Sequence, residues 1–172
     1  MSNKQTLDNI KKLREITGVG FKDCKLAIDE NNGDIEKSIE YLRKKGIAKA
    51  SKKMGRVAAD GLALVFEKDG EISAIEINSE TDFVARNKDF ILFCKEISEI
   101  NFKTKSNLKD LKTSKMKNGK TVDENLISLI SKIGEKITFG KIQTIENINA
   151  VNYTYQHSVI KDNVSKLGVI VS

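Results

Sequence analysis

A histidine serves as a general base only where an acid or a nucleophile stands beside it, and His157, the one histidine of the chain, has neither at recognisable spacing. The two cysteines, Cys24 and Cys94, lie inside apolar periodic segments with no CxxC and no nearby histidine. They read as buried free thiols in a reducing compartment, and structural zinc is excluded. The acid pairs Asp29-Glu30 and Asp123-Glu124 sit on charged faces, not across a cleft. Gly18-Val19-Gly20 opens like a phosphate loop, but it follows a helical pattern and lacks the Gly-Lys-Ser/Thr ending, so it reads as an interhelical turn. What remains is a protein expected to work by contact: not an enzyme, with no cofactor and no metal.

Two features could make such contacts. Lys44 to Arg56 holds six basic residues and no acidic one, and residues 103 to 120 hold seven Lys and one Asp. Basic stretches seek phosphate, yet Phe102 is the only aromatic residue in or beside them, so bases would have little to stack on and nucleic acid is not the expected partner. The second feature is the polar run Asn78-Ser79-Glu80-Thr81 followed by Asp82-Phe83. Periodicity favours Phe83 as the first core residue of a following helix. The other reading is a protruding wedge of Thr81, Asp82, Phe83 and Val84, in which the ring supplies apolar burial in a partner's pocket and the carboxylate supplies direction.

The elements that would position these residues divide the chain by period and charge. Residues 1–56 carry 14 basic and 8 acidic side chains, whereas residues 57–172 carry 16 of each, so the whole net charge of +6 resides in the first third. There, Leu7, Ile10, Leu13 and Ile16 form one helical stripe, Phe21, Cys24, Ala27 and Ile28 a second, and Ile35, Ile39 and Leu42, capped by Asp34, a third. The expectation is a three-helix bundle over 1–46 and a basic, helical or flexible linker over 47–56.

Beyond Val57 the period shortens to two. Leu62, Leu64 and Phe66 alternate, Lys68-Asp69-Gly70 turns the chain, and Ile72, Ala74, Ile75 and Ile77 return it, as a hairpin requires. One helix then carries Val84, Phe90, Phe93, Cys94, Ile97 and Ile100, residues 103–120 read as an exposed excursion, and Val122 to Ile133 form a further amphipathic helix. A second hairpin is read from Val151, Tyr153 and Tyr155, a turn at Lys161-Asp162-Asn163, and Leu167, Val169 and Val171. The fold class is α+β, with a first core half over 57–140 and the start of a second over 141–172. No helix follows the second hairpin, so its apolar face meets another partner, is covered by self-association or stays exposed.

At 172 residues, 39% hydrophobic and 31% charged, the composition is that of a globular protein and not of a disordered or fibrous one. No apolar run approaches the roughly 20 residues of a membrane span, and the first residues include Asp8 and form no Arg-rich presequence. A cytoplasmic protein without membrane contact is expected.

Several of these segments together resemble the elongation factor Ts family. LREITGVGFKDCKLAI, from Leu13 to Ile28, is similar to its N-terminal signature, and EINSETDFVARN, from Glu76 to Asn87, to its second signature. NGDIEKSIEYLRKKG, the KIGEKI of Lys132 to Ile137, and Tyr155-Gln156-His157 ahead of LGVIVS also fit, so the resemblance spans essentially the whole chain. It implies a bacterial, cytoplasmic guanine nucleotide exchange factor in protein biosynthesis, with a ubiquitin-associated-like helical domain and an antiparallel core of two related halves. The implied partner is elongation factor Tu.

By position, the resemblance gives Asp82 and Phe83, flanked by Thr81 and Val84, the wedge that enters the partner's G domain near its magnesium site. Leu13, Arg14, Phe21 and Lys22 become the N-terminal contact, Ile133 and Gly134 candidate further contacts, and His157 either another such contact or a strand-end histidine open to water. Many family members carry two methionines where this chain has Phe21-Lys22, which replaces a pliable contact by a stiff ring beside a charge. Long members continue well beyond LGVIVS and short ones stop before the second hairpin. This chain falls between the two, the pattern expected of a truncated second half.

Overall fold

The computed structural model describes residues 3–146 and 150–172. It divides into a helical unit, Met1–Gly55 with Ile127–Gly134, and a sheet unit, Arg56–Leu126 with Glu135–Ser172.

In the helical unit, α1 (Asn3–Thr17), α2 (Phe21–Glu30) and α3 (Ile35–Lys53) bury Ile10, Leu13, Cys24, Ala27, Ile28 and Leu42 in one cluster. The α1 stripe is narrower than its spacing predicts, because Leu7 and Ile16 are half exposed and only Ile10 and Leu13 face inward. Asp34 caps α3 by accepting from the Lys37 amide at 3.0 Å. The Ser38 hydroxyl donates to the Ala27 carbonyl at 3.0 Å, a buried tie between α3 and α2. Gly46 does not stop α3. A Cβ there would lie 2.9 Å from Ser131 Oγ and 3.5 Å from Ile127 Cγ2, so its bare Cα is what lets the end of a later helix pack close.

The sheet unit is built on β1 (Asp60–Lys68) and β2 (Glu71–Ser79), paired from Asp60↔Ser79 to Lys68↔Glu71 across the Asp69-Gly70 turn. β3 (Ile137–Ile145), β4 (Tyr153–Lys161) and β5 (Val164–Val171) complete an antiparallel sheet of order β3-β2-β1-β5-β4. This agrees with the expected α+β class. One face of β1 and β2, including Leu62, Leu64, Ile75 and Ile77, is buried. On that side α5 (Lys88–Lys103) packs, with Phe102 against Phe66 and Phe93 against Phe139.

Three sequence expectations change. The single helix after β2 is two, α4 (Asp82–Ala85) and α5, because Asn87 accepts from the Asp89 and Phe90 amides and restarts the helix. Residues 103–120 are no exposed excursion: α6 (Leu108–Thr113), capped by Asn107, buries Leu111 completely, and Met116 is also buried before α7 (Val122–Ile133). β3 was not foreseen, because its alternation changes phase. Ile77 opposes Phe139 but Ile75 opposes Ile142, so β3 carries one extra residue there and its inward side chains are no longer evenly spaced.

The second hairpin joins β1 through Ala63↔Ser165 and Leu64↔Val164, where Val164 and Ser165 are fully buried. Its outer face pairs Tyr153 with Val171, Tyr155 with Val169 and His157 with Leu167, and these apolar side chains are all exposed. Among the described residues no helix is long and apolar enough to cross a membrane.

Two packing features generate predictions. Gly61 has φ +136°, and a Cβ on it would stand 2.2 Å from the Ile77 carbonyl oxygen and 2.7 Å from Asn78 Cα, both backbone atoms that cannot step aside. Gly61→Ala should therefore destabilise the sheet by at least about 2 kcal/mol in urea unfolding. In the helical unit, Lys49 at 2.7 Å and Lys45 at 3.1 Å hold the Asp23 carboxyl, the Lys49 hydrogen bond above all, below its ordinary 3.8. A depressed carboxyl stabilises the fold above the unfolded value and loses that contribution as pH falls through the folded one. Asp23→Asn should cost about 0.5–1 kcal/mol at neutral pH, and the gap in thermal melting between variant and parent should close from about pH 4 downward.

Candidate functional site

Of the expected wedge, Asp82, Phe83 and Val84 lie on α4 and Thr81 is its N-cap, with Glu80 between the cap and the end of β2 at Ser79. Thr81 is the extended N-cap (φ −132°, ψ 159°), and its side chain makes no hydrogen bond to the helix it opens. Val84 (3% exposed) and Ala85 (0%) turn inward, so the first turn has one buried and one outer side. Phe83 lies on the outer side with 78% of its surface exposed. The reading of Phe83 as the first core residue is thus overturned: Phe90, fully buried on the separately capped α5, takes that place.

Single exposed apolar residues are common and mean nothing by themselves. What distinguishes Phe83 is the fixity of its support. Both the amide and the hydroxyl of Thr81 donate to the Glu135 carboxylate, at 3.0 and 2.8 Å. The neighbouring Glu80 carboxylate accepts the Lys136 amide at 2.5 Å and faces the Arg56 guanidinium at 3.3 Å. Lys136 Nζ in turn donates to the Arg56 carbonyl at 2.8 Å. Asp82 is half-buried beside the ring and pairs with Arg86 at 3.4 Å, an i,i+4 bridge open enough to solvent that it adds little to the stability of the fold.

The N-terminal residues fall into two groups. Leu13 is fully buried in the bundle core, so its side chain supports the surface from inside and has none of its own to offer a partner. Arg14, Phe21 (46% exposed) and Lys22 are exposed. Arg14 also lines a shallow hollow with Lys11, Glu15, Gly18 and Val19 at the turn between α1 and α2.

Ile133 is half-buried and Gly134 exposed at the end of α7, where the Gly134 carbonyl accepts from Lys53 Nζ. His157 is exposed on β4, its Nδ1 3.0 Å from the Tyr155 hydroxyl. In the sheet order, β1 and β5 stand between β2 and β4, so His157 lies on a different strand pair from the wedge. Burial raises the thiol pKa of both cysteines, strongly for Cys94, and leaves them protonated and inert. Of the seven lysines between 103 and 120, Lys105 pairs with Glu71, and the segment is anchored by Leu111 and Met116 beneath it.

Glu80, Glu135 and Arg56 were not singled out from sequence. Glu135 and Lys136 lie inside the KIGEKI segment, but nothing in spacing shows that a carboxylate 54 positions away takes the Thr81 amide. Only the missed pairing of β3 with β2 brings the two together.

The sequence model of the family described as Elongation factor TS matches residues 80–172, the stretch that opens at this clasp and wedge. Elongation factor Ts of Methylorubrum extorquens (strain PA1) is 43% identical over 164 residues, covering 95% of this chain and 54% of that protein. Elongation factor Ts of Rickettsia prowazekii (strain Madrid E) is 45% identical over 163 residues, 94% of this chain and 52% of that protein. Elongation factor Ts of Paracoccus denitrificans (strain Pd 1222) is 42% identical over 163 residues. The chain spans about half the length of the curated relatives it matches. With a family match over more than half its residues, the chain belongs to the elongation factor Ts family.

Proposed function

We propose that this chain binds elongation factor Tu carrying GDP and promotes release of the nucleotide, acting in translation in the bacterial cytoplasm without making or breaking a covalent bond. The observation that carries this reading is Phe83, 78% exposed on a turn held at its base by Glu135. A ring presented on a fixed stem loses little freedom when it enters a pocket, so most of its burial energy is available for prising apart what it enters.

The chemistry of such a factor is linkage. If the chain binds nucleotide-free elongation factor Tu more tightly than the GDP-bound form, GDP is held more weakly by the complex in the same ratio. In this reading the phenyl group separates packed side chains near the partner's metal and phosphate site, and Asp82 sets the direction of approach. Arg14, Phe21 and Lys22 form a second contact from the helical unit, and Ile133, Gly134 and His157 are further contact positions.

Phe83→Ala removes a buried anchor worth about 2–4 kcal/mol, which should weaken the complex roughly 30-fold to 1000-fold and slow exchange accordingly. The measurement is the departure of a fluorescent GDP analogue from elongation factor Tu on mixing with the full chain and with the variant. Equal rates for the two would refute the wedge. If the chain accelerates nothing and instead retains RNA with steep salt dependence, the protein is a basic binding module without exchange activity.

A further inference from the structure

We propose that Glu135 is the positioning residue of the wedge: through the two hydrogen bonds from Thr81 it fixes α4 and thereby the direction in which Phe83 projects. This inference rests on the exchange reading above for its functional consequence, but not for its structural one.

The geometry is reciprocal. Ser79↔Ile137 closes the recorded pairing between β2 and β3. Past it, the chain places Glu80-Thr81 on one side and Glu135-Lys136 on the other, and each dipeptide gives the amide of its second residue to the carboxylate of the other's glutamate. Side chains thus take over where the ladder ends. Backbone donors in a half-buried position need such acceptors, since an amide left unpaired there costs as much as a lost hydrogen bond.

The two halves of the clasp are not equivalent, and the asymmetry points to the wedge. Glu135 accepts twice from one residue, Thr81, using both oxygens. A threonine at an N-cap ordinarily turns its hydroxyl to an amide of its own helix, but here the cap makes no such bond and the hydroxyl is directed to Glu135, two residues ahead of β3. A helix of four residues is far too short to hold itself together. Its orientation therefore comes from outside: from Val84 and Ala85 buried below and from Thr81 tethered at its head. Phe83 is two residues from that tether. Arg56 faces Glu80 at 3.3 Å, so the other half of the clasp is held from β1's side as well.

Glu135→Gln keeps the shape but offers only one accepting atom to two donors, and Glu135→Ala removes both. Two readouts test the role in the full chain. In the free protein, the Thr81 amide should exchange with deuterium about tenfold faster in Glu135→Ala, and to a lesser extent in Glu135→Gln, with amides of the buried β1 strand unchanged. With elongation factor Tu, the maximal rate of GDP release should fall about tenfold while the half-saturating concentration changes little, and Thr81→Ser, which keeps both donors, should behave as the parent. The deciding combination places Glu135→Ala on the Phe83→Ala background: a residue acting only through the ring causes no further loss there.

Unchanged Thr81 exchange in both glutamate variants overturns the clasp, and so does a full further loss on the Phe83→Ala background. If Phe83→Ala alone leaves GDP release unchanged, the exchange reading fails, and the amide measurement still decides whether Glu135 holds the turn. Should Glu135→Ala fail to fold, Glu135→Gln carries the same comparison.

Discussion

The end of a β-ladder leaves donors that must find acceptors, and at the β2/β3 end this chain solves the problem with two carboxylates instead of further strand. Had the strands continued, residues 80–83 would have alternated across the sheet, and Phe83 would have been drawn onto one of its faces. The clasp interrupts that geometry. It satisfies the amides of Thr81 and Lys136, frees the chain to turn, and lets a single turn of helix stand out from the sheet. The exposure of the ring follows from the way the ladder stops.

Under the proposed exchange reading, a fixed aromatic group has an advantage over a mobile one. Ordering a rotamer-rich side chain or loop on binding costs about 0.5–1.5 kcal/mol per immobilised side chain, and that amount is subtracted from what can be spent on the partner. Here the ordering is supplied in advance by contacts internal to the sheet unit: Val84 and Ala85 beneath the turn, Glu135 at its head and Gly61 where β1 crosses close to Ile77 and Asn78. The helical unit follows a comparable logic. Its core residues Ile10, Leu13, Cys24 and Leu42 support an outer surface on which Arg14, Phe21 and Lys22 are exposed.

Much of this was legible from residue order because local rules and global packing agree over most of the chain. The Asp69-Gly70 turn, the alternation of β1 and β2, the Asp34 cap and the second hairpin each announce themselves in contiguous sequence. The failures share one cause, information that is not local. β3 was hidden by an extra residue opposite Ile75–Ile77, which shifts the phase of its inward side chains. The expected boundary at residue 46 falls inside α3, because nothing near Gly46 in the sequence shows that Ser131 packs against it. Leu111 and Met116 were lost among lysines, since two apolar residues five positions apart make no period. Leu13 was placed at a partner contact by its motif, whereas the packing of three helices buries it.

Phe83 is the instructive case, because periodicity favoured the core and the motif favoured exposure. Helical spacing could relate Val84 to Phe90 only if one helix ran through both, and the Asn87 cap breaks that frame. Once the frame is broken, the turn of Thr81 to Ala85 has to be judged alone, and a four-residue turn with two small buried side chains leaves no inward position for a phenyl ring. The burial of Phe90 is the result of that asparagine, which starts a new helix in the phase that fills the core. The exposure of Phe83 needs in addition the turn that follows the end of the β2/β3 ladder.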